Sequence, residues 1–161
     1  MKTHILFVCM ANIVRSPVAE NLCKHAVTMH ELEKEFVIDS AGTTPGFAGQ
    51  PPHPVMTRVA AAAGVVNAGL SRTLTRQDLE EFDLILVMDS ENYEDVLALT
   101  DREDQRKKIR YLRSFDSTHT GELDIKDPIL GSAADFVEVF QIIQASINGL
   151  LDFLQQKPLQ K

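Results

Sequence analysis

The sequence predicts a single α/β domain over residues 1–161, built on a four-stranded parallel, doubly wound sheet with helices on both faces. Two observations support this fold class. Short apolar segments alternate with segments of helical periodicity almost to the end of the chain, which is typical of successive βαβ units. Residues 84–88 (LILVM) are apolar at every position, as expected of a strand that helices cover on both sides.

Four segments have the character of strands. Residues 3–8 (THILFV) are mostly apolar, rich in β-branched side chains and too short for a helix. A second strand at 36–38 runs into the segment 39–43 (DSAGT), and residues 84–88 and 109–112 provide the third and fourth strands. Because ligands in such folds bind at the carboxyl ends of strands, the segments that follow the strands are the first place to look for a site.

Helix starts are marked by local signals. Ser16 and Pro17 open the first helix, with Ser16 as its cap and Pro17 in the first turn. A second helix begins near Pro54 and stops at Gly64, and Thr75 has the position of a cap for a third.

The second half of the chain contains a short helix at 90–100 and a long final helix that starts at Ser132. Loops at 44–54, rich in Gly and Pro, and at 113–131 connect the elements. The final helix has a clear apolar stripe at helical spacing, formed by Phe136, Phe140, Ile143, Ile147, Leu150 and Leu154.

Composition and charge narrow the class of function. The chain has 161 residues, of which 44% are hydrophobic and 24% charged, as in an ordinary soluble globular protein. Its net charge of −7 argues against nucleic acid or an anionic membrane surface as a partner. The N-terminus lacks the pattern of a signal peptide, and no uninterrupted apolar run has the length of a membrane span. We therefore expect a cytoplasmic protein with reduced thiols.

The most informative motif joins the first strand to the first helix. Cys9 and Arg15 bracket a five-residue loop, and such a turn aims backbone N–H groups at one point near a helix N-terminus, where a tetrahedral dianion would bind. The positive potential there favours a thiolate at Cys9, and Arg15 offers a planar fork for two phosphate oxygens. Asn12 tolerates the left-handed backbone angles that this loop requires. Together these residues predict an anion site with a nucleophile suited to attack phosphorus.

A structural interpretation of Cys9 competes with this one, because a cysteine that ends a buried strand is usually a small core side chain. Cys23 lies about two turns into the first helix, too far from Cys9 for a disulfide, and is interpreted as packing. Two cysteines without a CxxC motif and five scattered histidines predict no metal site.

The sequence resembles the low-molecular-weight protein tyrosine phosphatases from its first strand to its last helix. Residues 9–17 (CMANIVRSP) are similar to the family loop C-x-G-N-x-C-R-S-P. Further matches are the segments 39–43 (DSAGT) and 82–89 (FDLILVMD), and the pair Asp127 and Pro128 before the last helix. The resemblance implies a phosphatase of this α/β fold that needs no cofactor.

The resemblance also implies roles for individual residues. Cys9 would be the nucleophile that forms a phosphocysteine, Arg15 would bind the phosphoryl oxygens, and Asp127 would act as general acid and then activate water. Three residues would hold the loop in shape by hydrogen bonds: Asn12, Ser16 and Ser40. The substrate would contact the loop and an adjacent wall, formed by Met10, Ala11, Asn12, Ile13, Val14, Ser16, Phe47, Ile129 and Leu130.

The loop departs from the family pattern at two positions. Ala11 stands where the family has glycine, and Val14 replaces its second cysteine, which can form a disulfide with the nucleophile. In addition, Gly69 aligns loosely with a histidine that joins the loop network in many relatives.

The residues expected to form the wall around the substrate also depart from the family pattern. Ile129 and Leu130 follow Asp-Pro where aromatic residues are usual, and Gly46, with Phe47 beside it, holds the position of another aromatic residue. An aryl ring would thus meet mainly aliphatic side chains, with Met10 among them, and would lose stacking worth about 0.5–1.5 kcal/mol. We expect this change to weaken phosphotyrosine affinity rather than phosphatase chemistry.

Four functions remain open on the sequence alone. The leading one is hydrolysis of phosphotyrosine in proteins and of small aryl phosphates. Its partner would be a phosphorylated protein, which in bacterial relatives is often a tyrosine kinase. The chain would act as a monomer or a weak homodimer. A phosphoarginine phosphatase of the same fold would favour threonine at the position of Ile13. An arsenate reductase would need a further pair of cysteines. The last alternative is a phosphate-binding or partner-docking module with weak turnover, against which the presence of Cys9, Arg15 and Asp127 together argues.

Overall fold

The computed structural model describes residues 1–156 and contains four parallel strands in one sheet. The strands are β1 (Thr3–Cys9), β2 (Phe36–Gly42), β3 (Leu84–Val87) and β4 (Ile109–Tyr111). Their order across the sheet is β2-β1-β3-β4, and every neighbouring pair is parallel. β1 therefore lies between β2 and β3, and the predicted four-stranded parallel sheet is confirmed.

Helices connect the strands throughout the described part of the chain. They are α1 (Arg15–Met29), α2 (Pro54–Ala62), α3 (Arg76–Glu81), α4 (Ser90–Leu97), α5 (Glu103–Arg106) and α6 (Ala133–Gln156), and a 3₁₀ helix, Leu112–Phe115, follows β4. Thr75 is the N-cap residue of α3 as predicted, in a capping box in which Asp78 Oδ2 accepts a hydrogen bond from Thr75 N at 2.7 Å.

The two faces of the sheet carry separate cores, because successive side chains of a strand point in opposite directions. Ile5 and Phe7 of β1 are buried in a core built with α1, α2 and α6. Leu6 and Val8 are buried in a smaller core built with α3 and α4. This arrangement confirms the doubly wound sheet with helices on both faces.

The long helix α6 covers one face of the sheet, and its predicted apolar stripe is buried. Gly149 permits close packing against the 3₁₀ helix, since a Cβ at this position would overlap the carbonyl oxygen of Phe115. Among the described helices, α6 alone is long and apolar enough to cross a membrane. The buried core helix of a soluble protein meets the same criterion, and α6 is packed as such a helix.

Local details differ from the sequence-based expectations. β2 extends to Gly42 because its last four residues pair with Leu6 to Cys9 of β1. β4 ends at Tyr111, since Leu112 already begins the 3₁₀ helix. The short helix α5 was not predicted, because its sequence EDQR carries no apolar periodicity.

Candidate active site

The loop predicted to bind an anion lies at the carboxyl edge of the sheet, between the last residue of β1 and the first residue of α1. Carbonyl oxygens of Cys9, Met10 and Ile13 accept hydrogen bonds of 2.9 Å from the amides of Thr43, Thr44 and His53, respectively. These carbonyls therefore point toward the segment after β2. Since C=O and N–H are antiparallel in a trans peptide, the amides that share these peptide groups point to the opposite side, away from that segment.

Asn12 holds the loop in shape. Its backbone is left-handed, with φ of 57°, as the sequence predicted. Its side chain is buried and donates through Nδ2 to Ser16 Oγ at 2.8 Å and to Ser40 Oγ at 2.9 Å. Asn12 Oδ1 accepts from the amide of Arg72 at 2.9 Å. One side chain thus ties the loop to α1, to β2 and to the segment before α3.

Cys9 lies beside a hydroxyl group. Its Sγ is 3.0 Å from Ser16 Oγ, close enough for the hydroxyl to donate to a thiolate. The prediction that Ser16 caps α1 is wrong, because α1 begins at Arg15 with Val14 at the cap position and no side-chain cap bond. The Ser16 hydroxyl is instead turned toward Cys9 and Asn12.

Arg15 is only 2% exposed, and its guanidinium is held from one side. Nη1 donates to Asp89 Oδ2 at 2.6 Å and to the carbonyl oxygen of Ile125 at 2.8 Å. Nε is buried and has no hydrogen-bond partner among the described residues, and Nη2 is 3.6 Å from Asp127 Oδ2. An arginine edge formed by Nε and Nη2 has the geometry to bind two oxygens of a phosphate side by side.

Asp89 is a site residue to which the sequence analysis assigned no role. It caps α4 by accepting from the amide of Asn92 at 2.8 Å through Oδ1, and its Oδ2 binds Arg15. The sequence contained a signal for this role. Asp89 follows β3, the strand beside β1, and so lies at the same edge of the sheet as Cys9. Its pairing with Arg15 still depends on a contact across 74 positions of the sequence.

Glu20 also belongs to the hydrogen-bond network around the loop, and the sequence analysis did not predict this role. Its Oε2 accepts from Ser40 Oγ at 2.5 Å, and its Oε1 pairs with Lys24 Nζ at 2.5 Å. Glu20, Asn12 and Gly69 line one small cavity of about 10 Å³. Gly69 therefore lies beside the loop network, as the loose alignment suggested.

Asp127 lies across from the loop, in the segment that enters α6. Its Oδ2 is 3.6 Å from Arg15 Nη2, its Oδ1 accepts from the amide of Ile129 at 3.1 Å, and its side chain is 31% exposed. The structure thus brings Asp127 to the same guanidinium as the Cys9 loop, while leaving its carboxyl group in contact with solvent.

The residues expected to form the wall have different environments. Met10, Ile129 and Leu130 are exposed apolar side chains, with Leu130 98% exposed. Phe47 is half-buried in the loop after β2, and its carbonyl oxygen accepts from Ser71 Oγ. Contact between these side chains and a substrate stays a prediction.

The remaining loop residues differ in burial. Val14 is buried in the core, Ile13 packs partly against it, and Ala11 is half-buried. Asn12 and Ser16 are also buried, and contact of these loop residues with a substrate stays a prediction. Within the described residues, no group of three or more His, Cys, Asp or Glu side chains is arranged to hold a metal ion.

Gly42 allows β2 to approach the loop. A Cβ on Gly42 would lie 2.7 Å from the Met10 carbonyl oxygen, 2.9 Å from the Ala11 carbonyl carbon and 3.0 Å from the Asn12 amide nitrogen. All three are backbone atoms, which cannot move aside as the end of a flexible side chain can. The sequence analysis noted this glycine only as part of the segment 39–43.

Gly42→Ala is therefore expected to weaken the binding of inorganic phosphate by about tenfold or more, the size that overpacking by one methyl group allows. Titration calorimetry measures this affinity directly. Gly64→Ala is the matched control, because a Cβ on Gly64 meets open space at the end of α2. It should lower stability through its positive φ of 78° and leave phosphate affinity unchanged. Equal affinities for wild type and Gly42→Ala would contradict the close approach.

The two cysteines have different surroundings. Both are free, and Cys23 is fully buried within α1. Burial raises the pKa of the Cys23 thiol to about 12, so this thiol stays neutral and poorly reactive near neutral pH. Val14 leaves Cys9 without a second cysteine in its loop.

Peroxide is expected to oxidise Cys9 beyond sulfenic acid to sulfinic acid, which added thiols do not reverse. Mass spectrometry of the peptide that contains Cys9, before and after thiol treatment, checks this outcome. Val14→Cys, which restores the second cysteine of the family loop, should instead give a disulfide that thiols reduce. Detection of a reversible Cys9–Cys23 disulfide in the wild type would show that the prediction is wrong.

Known proteins resemble this chain both in sequence and in fold. The sequence model of the low molecular weight phosphotyrosine protein phosphatases matches residues 4–161. The chain is 35% identical to the low molecular weight phosphotyrosine protein phosphatase of Sus scrofa, over 85% of this chain and 86% of that protein. It is 32% identical to the low molecular weight protein-tyrosine-phosphatase YfkJ of Bacillus subtilis, over 95% of this chain and 96% of that protein.

A solved structure agrees with these sequence matches. The crystal structure of a protein tyrosine phosphatase from Entamoeba histolytica is 31% identical and superposes with a TM-score of 0.92, covering 98% of this chain and 100% of that one. The chain therefore belongs to the low molecular weight phosphotyrosine protein phosphatase family.

Proposed function

We propose that this chain hydrolyses phosphotyrosine in proteins, and small aryl phosphates, through a phosphocysteine at Cys9. The observation that carries the proposal is the guanidinium of Arg15, which is buried, is fixed through Nη1 by Asp89, and has its Nη2 3.6 Å from Asp127 Oδ2. Among the described residues, Nε has no hydrogen-bond partner and Nη2 has only this 3.6 Å ion pair, so this edge of the cation is suited to a dianionic group. Family membership supports the same assignment.

In the first step, Cys9 Sγ attacks phosphorus while the bond from phosphorus to the ester oxygen breaks. The new bond is S–P, and the leaving oxygen takes the proton of Asp127, so that an alcohol or phenol departs. Asp127 is placed for this role because its carboxyl group lies 3.6 Å from the guanidinium that would hold the phosphoryl group, and because it is partly exposed. General acids must be able to reach the atom that they protonate.

In the second step, Asp127 accepts a proton from a water molecule that attacks the phosphocysteine. The S–P bond breaks, the thiolate is restored and inorganic phosphate leaves. The Ser16 hydroxyl, 3.0 Å from Cys9 Sγ, stabilises the thiolate by donating a hydrogen bond to it. The same residue thereby supports the attacking form in one step and the leaving form in the next.

The loop supplies the positive potential that the chain as a whole lacks. With a net charge of −7, the protein attracts a phosphate only where local groups outweigh that charge. The inward-facing amides and Arg15 do this at one point, and they are in place before the reaction, so no reorganisation is needed as charge develops on the phosphoryl oxygens.

Substrate preference follows from the rim of the site. Met10, Ile129 and Leu130 are exposed aliphatic side chains, which favour an apolar aryl group over the polar backbone around a phosphoserine. The substrate is a phosphorylated protein, and a bacterial tyrosine kinase fits that class. We place the reaction in the cytoplasm, where the Cys9 thiol stays reduced, with the chain acting as a monomer or weak homodimer.

Asp127→Asn is expected to lower kcat by about 10²–10⁴-fold on a phosphotyrosine peptide, the usual contribution of a general acid. The loss on para-nitrophenyl phosphate should be smaller, because nitrophenolate leaves without a proton. Steady-state kinetics on both substrates measure the difference.

The matched control is Asp116→Asn, a change in the same segment between the 3₁₀ helix and α6, at a carboxylate that binds Thr118. It should leave both substrates unaffected. Equal losses on the two substrates with Asp127→Asn would mean that the acid is another residue. Turnover too weak to measure in the wild type, with phosphate binding intact, would favour the phosphate-binding module instead.

A further inference from the structure

The second half of the Cys9 loop is held by the segment before α2. The carbonyl oxygen of Ile13 accepts a hydrogen bond of 2.9 Å from the backbone amide of His53. The peptide that joins Ile13 to Val14 leads directly into α1, with Val14 at the N-cap position. Because the C=O and N–H of a trans peptide point in opposite directions, the bond to His53 fixes the direction of the Val14 amide at the N-terminus of α1.

The sequence gives this segment a single backbone donor. Residues 51–54 are PPHP, and proline has no N–H, so His53 is the one residue of the four that can donate. Its amide is used on the carbonyl of Ile13. The prolines also fix their own φ angles, and His53, with φ of −57° and ψ of 131°, has the extended conformation expected before a proline. A segment with little conformational freedom therefore directs its one donor at the loop.

The side chain of His53 holds the residue in this orientation. Nδ1 accepts a hydrogen bond from the amide of Val55 at 3.2 Å and so caps α2. The imidazole also stacks on Phe136 of α6, with 4.9 Å between the ring centroids and an angle of 29° between the planes. Phe136 is itself buried in the core. Contacts with two helices thus fix the residue whose amide binds the loop.

We propose that His53 is a positioning residue of the phosphate site. Its amide holds the peptide between Ile13 and Val14 in the orientation that binds phosphate, and its side chain keeps that amide in place. His53 acts through the loop and not on the reacting atoms. The inference rests on the proposed function in one respect, since it takes the Cys9 loop as the phosphate site.

Two variants at this position separate the amide from the ring. His53→Ala removes the ring and keeps the N–H. His53→Pro removes both, and the φ and ψ of His53 already suit a proline. We expect inorganic phosphate to bind about tenfold more weakly to His53→Pro than to His53→Ala, the size of one lost hydrogen bond. Titration calorimetry on the full chain measures both affinities, and kcat/KM on para-nitrophenyl phosphate should fall in the same order.

His53→Asn tests the contribution of the ring. Its side-chain oxygen can accept from the Val55 amide as an N-cap does, so its phosphate affinity should stay within about twofold of the wild type, whereas His53→Ala should lose about fivefold. Hydrogen exchange at the amide of residue 53 should be faster in His53→Ala than in His53→Asn, because that amide is less firmly held against Ile13. Thr75→Ala is the matched control, since Thr75 is the N-cap residue of α3. It should lower stability and leave phosphate affinity unchanged.

The comparisons can each contradict the proposal. Equal phosphate affinities for His53→Pro and His53→Ala would overturn the role of the amide. Equal affinities and equal exchange for His53→Ala and His53→Asn would overturn the role of the ring, and this comparison decides if His53→Pro does not fold. A wild type that binds phosphate, with the expected order among the variants, but turns over no substrate would support the positioning role and contradict the proposed hydrolysis.

Discussion

Cys9→Ser is expected to lower turnover of para-nitrophenyl phosphate by on the order of 10⁶-fold, the size of the loss when the nucleophile of a hydrolase is removed. A serine hydroxyl stays protonated beside Ser16 and Asn12, because neither residue is a base. Binding of inorganic phosphate should persist, since the loop amides and Arg15 are unchanged. Steady-state kinetics and calorimetry on the same sample separate the two effects.

Cys23→Ala is the matched control for this variant. Cys23 is buried in α1 and its thiol has a pKa of about 12 because of that burial, so its removal costs packing and no chemistry. The variant should be less stable and should retain wild-type kcat. Substantial turnover in Cys9→Ser would mean that Cys9 is the core side chain of the competing interpretation.

Arg15→Lys is expected to lower kcat/KM by about 10³–10⁵-fold, the range found for arginines that stabilise phosphoryl-transfer transition states. The lysine ammonium can pair with Asp89, yet it cannot also present two donors side by side to the phosphoryl oxygens. Phosphate affinity should fall as well, because ground state and transition state both use this edge. Kinetics on para-nitrophenyl phosphate and phosphate titrations measure the two losses.

Arg102→Lys provides the comparison. Arg102 is an exposed arginine whose partners are Glu80 and Asp104, and surface pairs of this kind contribute little. Its replacement should change neither kcat nor phosphate affinity. Near-normal kinetics in Arg15→Lys would show that Arg15 has only a structural role.

Much of the fold could be predicted from local patterns. The apolar, β-branched β1 and the fully apolar segment of β3 define a sheet covered on both faces, and the stripe of α6 defines the helix that covers one of them. The left-handed Asn12 was also predictable, because the requirement comes from the turn itself and the tolerance from the residue type.

Other parts of the site depend on contacts that no local pattern contains. The bonds that hold Arg15 join it to Asp89 and to Ile125, which are 74 and 110 positions away. The hydrogen bond between Ser40 and Glu20 joins β2 to α1. The role of Gly42 follows from the short distance between β2 and the loop. The prediction that Ser16 caps α1 was wrong because its hydroxyl forms hydrogen bonds within the loop instead of at the helix end.

The claim that Cys9 carries the phosphoryl group can be tested by trapping the intermediate. Asp127→Asn is mixed with para-nitrophenyl phosphate, whose leaving group needs no proton, and is quenched by rapid denaturation before mass spectrometry. We predict a burst of nitrophenolate that matches the enzyme concentration and a phosphoryl group on the peptide that contains Cys9, with neither observed in the variant that also carries Cys9→Ser. Turnover without any phosphorylated Cys9, or a phosphoryl group on another residue, would contradict the mechanism.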